Sequence, residues 1–202
     1  DYGVGNLFSL VSSLKSIGVD AVVTDDKAVI TSADKLILPG VGAFEDAAKK
    51  LRSTGLDQTL KELAAKGKPL MGICLGMQLL LEKSYEFGEH EGLGLIKGAV
   101  TPIADVIPKD YKIPHIGWNA LSFPKDRPIS PLFRYIKEGD CVYFVHSYYG
   151  ADCDESLIAT AEYSVPLTAA VAKGSVFGTQ FHPEKSGRVG LKILSAFCEI
   201  GK

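Results

Sequence analysis

Apolar residues recur in the first half of the chain at two alternating rhythms. Leu7, Leu10, Val11, Leu14 and Ile17 fall on one face of a helix, and Gly18 follows as its stop signal. Residues 21–24 and 35–38 are short apolar runs of strand length, the second ending abruptly at Pro39-Gly40. Helical spacing returns over 45–52 and 57–66; 69–74 is a third apolar strand, and 75–82 resumes a helix. Strands separated by helices predict βαβ units and a parallel sheet. The opening Asp1-Tyr2-Gly3-Val4-Gly5-Asn6 has the character of a loop leaving a strand, so a first strand is expected ahead of it.

After Gly92 the pattern changes. Segments 93–103, 116–123, 142–149, 157–162 and 168–181 lean towards strand without strong helices between them, as antiparallel additions to a parallel core would. A last helix over 187–200 places Ile193, Leu194, Phe197 and Ile200 near one face. No repeat, low-complexity segment or linker interrupts the chain. The expectation is one α/β domain over 1–202: a doubly wound, mostly parallel central sheet with flanking helices and added antiparallel strands.

Composition narrows the function. The 202 residues carry a formal net charge of −2 and no block of Lys or Arg, which disfavours a nucleic-acid binder. No apolar stretch is long enough for a membrane helix, and the chain does not open like a signal peptide, so the expected location is cytoplasmic. Cys74, Cys141, Cys153 and Cys198 lack the short spacing of a zinc site, and neither metal nor cofactor is expected. Gly3-x-Gly5 is no dinucleotide fingerprint, because the third glycine would fall on Phe8. Cys141, Cys153 and Cys198 read as small, partly buried hydrophobes.

Cys74 differs. Gly72-Ile73-Cys74-Leu75-Gly76 joins a strand to a helix, the G-x-nucleophile-x-G arrangement of a nucleophile elbow. So tight a turn needs minimal flanking side chains, and a helix N-terminus favours the thiolate. The plain alternative is a buried cysteine on an ordinary turn, and taken alone the elbow leaves the two about even. Phe181-His182-Pro183-Glu184 adds a histidine with a carboxylate two residues on, which an extended segment would point to the same side. An isolated pair of this kind is more often a surface histidine beside a salt-bridging glutamate; joined to the elbow it completes a nucleophile, base and acid. His90, His115 and His146 have no such acid. The glycine-rich loop Pro39-Gly40-Val41-Gly42 could set a backbone N–H beside that of Leu75 to hold an oxyanion.

These residues resemble the class I (triad) glutamine amidotransferases, whose signatures match Gly72-Ile73-Cys74-Leu75-Gly76-Met77-Gln78 and Gln180-Phe181-His182-Pro183-Glu184. The wider set, with Asp1-Tyr2-Gly3, Pro114-His115-x-Gly117-Trp118-Asn119, Tyr143-Phe144-Val145-His146-Ser147-Tyr148 and Lys185-Ser186, is similar to the glutaminase subunits of imidazole glycerol phosphate synthases. The resemblance spans essentially the whole chain. It implies a flavodoxin-like core and glutamine hydrolysis through a Cys74 thioester, with His182 moving protons and Glu184 orienting it. It implies glutamine held by Gln78, Glu86, Ser147 and Tyr148, with Gly42 lining the pocket and Val41 and Leu75 at the oxyanion. It also implies a (β/α)8-barrel cyclase partner that receives ammonia through a tunnel, in a step joining histidine and purine synthesis, with Trp118, Tyr143 and Lys185 towards it. That partner would switch on a poor isolated glutaminase by rotating the peptide between Gly40 and Val41. The rival readings are the glutaminase of another synthase, such as pyridoxal phosphate synthase, a non-catalytic amidotransferase-like binding module, and a cysteine peptidase. Gln78 and Glu86 suit a small free amino acid better than a peptide.

Overall fold

The computed structural model of the protein describes residues 7–201, so the opening loop 1–6 and the strand expected ahead of it lie outside the described residues. The helices are α1 (Leu7–Ser16), α2 (Lys27–Ser32), α3 (Phe44–Thr54), α4 (Leu56–Ala65), α5 (Leu75–Leu80) and α6 (Gly187–Glu199). The longer strands are β1 (Leu36–Leu38), β2 (Leu70–Ile73), β6 (His115–Ser122), β7 (Cys141–His146), β9 (Leu157–Tyr163), β10 (Val165–Lys173) and β11 (Val176–Thr179). They form one seven-stranded sheet in the order β1-β2-β11-β10-β9-β6-β7. The β1, β2 and β11 strands run parallel, and the rest is added antiparallel from β10 outwards. A smaller sheet orders β4 (His90–Glu91), β3 (Lys83–Ser84), β5 (Ala99–Pro102) and β8 (Tyr148–Ala151).

Helices cover both faces of the parallel part. Every residue of β2 is buried, and its side chains divide by strand alternation. Leu70 joins a core with Ala47, Leu51, Leu60 and Leu63 from α3 and α4. Met71 and Ile73 join the opposite core with Leu10, Leu14, Ile193, Leu194 and Phe197 from α1 and α6. Each of those large side chains contributes roughly 1.5–3 kcal/mol on burial, so the sheet is clamped through its centre strand. The α3 helix carries Glu45 and Asp46 at its start, where the macrodipole favours acids, and Gly55 closes it at φ 68° with its N–H on Arg52 and Leu51 carbonyls.

Several expected elements shift. Residues 21–24 carry no strand, because no described residue offers them a ladder, and Val22 and Val23 are exposed. Of 93–103 only Ala99–Pro102 is strand. The run 142–149 bends at Ser147 and serves two sheets, β7 pairing with β6 and β8 with β5. The run 168–181 is likewise two strands, folded back as the β10–β11 hairpin. The short α2 was not anticipated, since none of its residues is fully buried and no apolar stripe announces it; the Asp26 side chain caps it by accepting from Ala28 N–H at 2.7 Å. No helix among the described residues is long and apolar enough to cross a membrane.

Candidate active site

Three neighbouring parallel strands end at one edge, and each delivers a functional segment there. The β1 strand runs into the 39–42 loop, β2 into Cys74, and β11 into Gln180–Glu184. The elbow at Cys74 is forced into φ 54°, ψ −112°, a region that non-glycine residues rarely occupy and that costs roughly 1–3 kcal/mol. Its surroundings hold it there. The Cys74 N–H donates to Thr179 O at 2.7 Å, and Gln78 N–H donates to Cys74 O at 3.1 Å. A Cβ on Gly76 would stand 1.8 Å from Leu38 O, and one on Gly72 would stand 2.5 Å from Gly76 O. Neither glycine can be replaced without moving backbone, so the two strands and the helix reach this close only because both positions lack side chains.

His182 is the third residue beyond β11, with its N–H donating to Tyr143 O at 3.0 Å and its carbonyl accepting from Ser186 Oγ at 2.6 Å. The same Ser186 Oγ accepts from Tyr143 N–H at 2.9 Å, which ties the turn to β7. Glu184 Oε1 meets His182 Nδ1 at 2.8 Å, with both side chains buried. The contact arises differently from the expected extended pair. Pro183–Lys185 is a 3-10 turn, and the proline ring starts it by fixing φ; curvature, not strand alternation, brings the carboxylate under the ring.

Burial opposes charge on the His182 ring, yet the Cys74 sulfur and the Glu184 carboxylate outweigh it and push the imidazole up to about 9. His182 therefore holds its proton at neutral pH, with Nδ1 fixed on Glu184 and Nε2 on the side of the Cys74 sulfur. A donor set against the sulfur, where an incoming amide would be attacked, is what a proton donor to that ligand requires. His146 lies in the same cavity and is its opposite. Burial drives it down to about 3, and its Nδ1 donates to Tyr148 O at 2.9 Å. Neutral His146 accepts at Nε2 from His115 Nδ1 at 2.9 Å, so both rings serve the β6–β7 framework. His90 sits on β4 with Glu45 at 3.8 Å.

Cys74 and His182 open on a cavity of about 430 Å³. Its walls include Val41, Gly42 and Leu75 on one side and Gln78, Glu86, Ser147 and Tyr148 on the other, so the structure brings together all the expected pocket residues. It also adds Phe87, which no local motif announced, and Pro114, Val145 and His146, which belong to the quoted segments but had been given no place in the pocket. Two of the expected residues carry other duties. Glu86 Oε2 accepts from Phe44 N–H at 2.5 Å, tying the cavity rim to the start of α3 just beyond the 39–42 loop. Gln78 Nε2 is used by Tyr148 O at 3.1 Å and Gln180 Oε1 at 3.0 Å, leaving its Oε1 for a ligand. A larger cavity of about 530 Å³ between α1, β1 and α6 is lined mostly by aliphatic groups and contains no histidine.

The model of the family described as glutamine amidotransferase class-I matches residues 1–199. The chain belongs to that family. The amidotransferase is 50% identical to the imidazole glycerol phosphate synthase subunit HisH of Caldanaerobacter subterraneus subsp. tengcongensis, over 100% of its own length and 97% of the relative's. It is 49% identical to the subunit of the same name from Geobacillus kaustophilus, over 99% and 94% of the two lengths. Its fold matches a solved glutamine amidotransferase with a TM-score of 0.73 at 19% identity, covering 96% of this chain and 95% of that one.

Of the remaining expected residues of the amidotransferase, Trp118 and Lys185 are exposed and Tyr143 is half-buried. Trp118 is 58% exposed and meets Tyr143 edge-on at 6.1 Å across the β6–β7 pair, and Lys185 is exposed on the turn that carries Glu184. Of the three cysteines expected to be partly buried, Cys153 is buried and Cys198 intermediate, but Cys141 is exposed. The period of β7 explains it: Cys141 shares the outward face with Tyr143 and Val145, while Val142, Phe144 and His146 turn inwards.

Proposed function

We infer that this amidotransferase is the glutaminase subunit of an imidazole glycerol phosphate synthase, and that Cys74, His182 and Glu184 perform its hydrolysis. The observation that carries the site is the strained Cys74 elbow sharing one cavity with a His182 imidazolium held by Glu184. The Cys74 sulfur attacks the side-chain amide carbon of glutamine. His182 donates its proton to the nitrogen as the C–N bond breaks, and ammonia leaves a thioester. His182, now neutral, takes a proton from water as the water adds, and glutamate departs from the restored thiolate. Glu184 keeps Nδ1 protonated throughout, so Nε2 alone exchanges protons. The N–H groups of Val41 and Leu75 hold the oxyanion. Gly42, Gln78, Glu86, Ser147 and Tyr148 seat the amino acid, with the Gln78 contribution made by its Oε1.

The chain works with a partner subunit, as a subunit of a synthase does. The partner of this reading is a (β/α)8-barrel cyclase that receives ammonia through a closed path, since ammonia released into neutral water becomes ammonium and ceases to be a nucleophile. A cytoplasmic location belongs to the same reading. The docking face is the sheet surface where exposed Ile116 and Trp118 meet half-buried Tyr143, with Lys185 beside it. Its apolar centre and lysine rim have the composition of an interface. Trp118→Ala is expected to weaken the complex by about 2 kcal/mol or more, a loss of roughly 30-fold in affinity, while the melting temperature of the free chain hardly changes. Calorimetric titration and a thermal melt of the free variant separate this from a core role, which would lower the melt instead.

Glutamine-dependent synthesis tests the assignment directly. Mixed with the cyclase of an imidazole glycerol phosphate synthase, the chain should support product formation from glutamine as the nitrogen donor. Support of a pyridoxal phosphate synthase instead would move the chain to that enzyme while leaving the triad reading intact.

A further inference from the structure

Gln180 is fully buried between the end of β11 and the His182 turn, and its backbone N–H is committed to Ala169 O at 2.8 Å. A buried primary amide must place two donors and an acceptor, and here the orientation follows from one atom that can only accept. Tyr148 O receives His146 Nδ1 at 2.9 Å and Gln78 Nε2 at 3.1 Å, which fixes the amino end of the Gln78 amide. The same Nε2 reaches Gln180 at 3.0 Å, so the atom it meets is Oε1. The Gln180 Nε2 is left facing Cys74 Sγ at 3.6 Å. Turning over either amide sets donor against donor or oxygen against oxygen. A carbonyl of β8 thus aims, through two glutamines, an N–H at the nucleophile.

We propose that Gln180 is a catalytic hydrogen-bond donor to the Cys74 sulfur, with Gln78 as the positioning residue behind it. Sulfur carries negative charge at two points of the cycle: before it attacks, and again when the C–S bond of the hydrolysed thioester breaks and its electron pair returns to sulfur. An N–H held on sulfur stabilises both states and strengthens as charge develops. It also restrains the thiolate from rotating out of the cavity. His182 supplies the charge and moves the proton; Gln180 supplies a neutral donor that stays in place after the proton has moved. The role rests on Cys74 being the nucleophile.

The test measures alkylation of Cys74 by iodoacetamide across a pH series in the full chain, located by mass spectrometry, with exposed Cys141 as the internal reference thiol. Among the described residues, the other titratable groups around this part of the cavity are His182 and Glu184 from the turn after β11, His146 from β7, Tyr148 from β8 and Glu86 at the rim, and all are common to the proteins compared. Gln180→Met keeps the length and removes the donor. Gln180→Glu keeps the shape and can still accept from Gln78, but sets a carboxylate against sulfur. The profile of Gln180→Met should move to higher pH by about one unit, with alkylation at neutral pH roughly tenfold slower, and Gln180→Glu should move it further. Gln78→Met, which leaves Gln180 in place without its anchor, should move it by less, and decides the matter if the Gln180 variants do not fold. A Gln180 that merely packs the core would lower the melting temperature and leave the profile where it was; that result overturns the proposal. Wild-type Cys74 reacting no faster than Cys141 would instead overturn the nucleophile itself.

Discussion

Cys74→Ala is expected to lower glutamine hydrolysis roughly 10⁴-fold or more, while synthesis driven by added ammonium salt in the complex continues. The size follows from the loss of the nucleophile that the strained elbow presents to the cavity. Of the described lining residues, Ser147 comes nearest to it in chemistry, and it lacks the elbow and the strained backbone that present Cys74. Alanine is small and leaves the Thr179 and Gln78 backbone bonds of the elbow in place, so the loss reports chemistry and not folding. Steady-state glutaminase assays and ammonia-dependent product formation on the same preparation check both halves. Near-native glutaminase activity in Cys74→Ala would refute the assignment.

The second large effect separates His182 from Glu184. His182→Ala should approach the Cys74 loss, because the proton donor to the departing nitrogen disappears and no other described residue of the cavity is placed to replace it. His146 cannot substitute, being neutral and hydrogen-bonded at both ring nitrogens. Glu184→Gln should be milder, since an amide oxygen can still accept from Nδ1. It should also change the pH profile in a definite direction. The carboxylate is one of the groups raising His182 to about 9, so the alkaline limb of kcat/KM belongs near that pH in the wild type. Without the carboxylate the ring loses its proton earlier, and the limb moves to lower pH. A limb that stays put, or a Glu184→Gln variant more damaged than His182→Ala with its fold intact, contradicts this division of roles.

Local sterics made the elbow legible. Gly72, Cys74 and Gly76 lie within five consecutive positions, and the close approach of β1, β2 and α5 leaves no space for other side chains at the two glycines. The same holds for helices with full apolar stripes, such as α1, α4 and α6, and for the His182–Glu184 pair, whose partners are two residues apart. Only the three-dimensional structure decided which strands pair. An apolar run such as 142–149 has one period throughout, and nothing in it says that a bend at Ser147 sends its halves to different sheets. The choice among histidines was half legible: the acid beside His182 could be read, but the burial that keeps His146 neutral could not. The Gln180 bond to Cys74 joins residues 106 positions apart, and its only foreshadowing was a place two residues before His182. Backbone sterics act between neighbours in sequence and so leave their mark in contiguous residues. Burial, amide orientation and strand pairing depend on what the folded chain brings from far away, and they exist only once the sheet has closed.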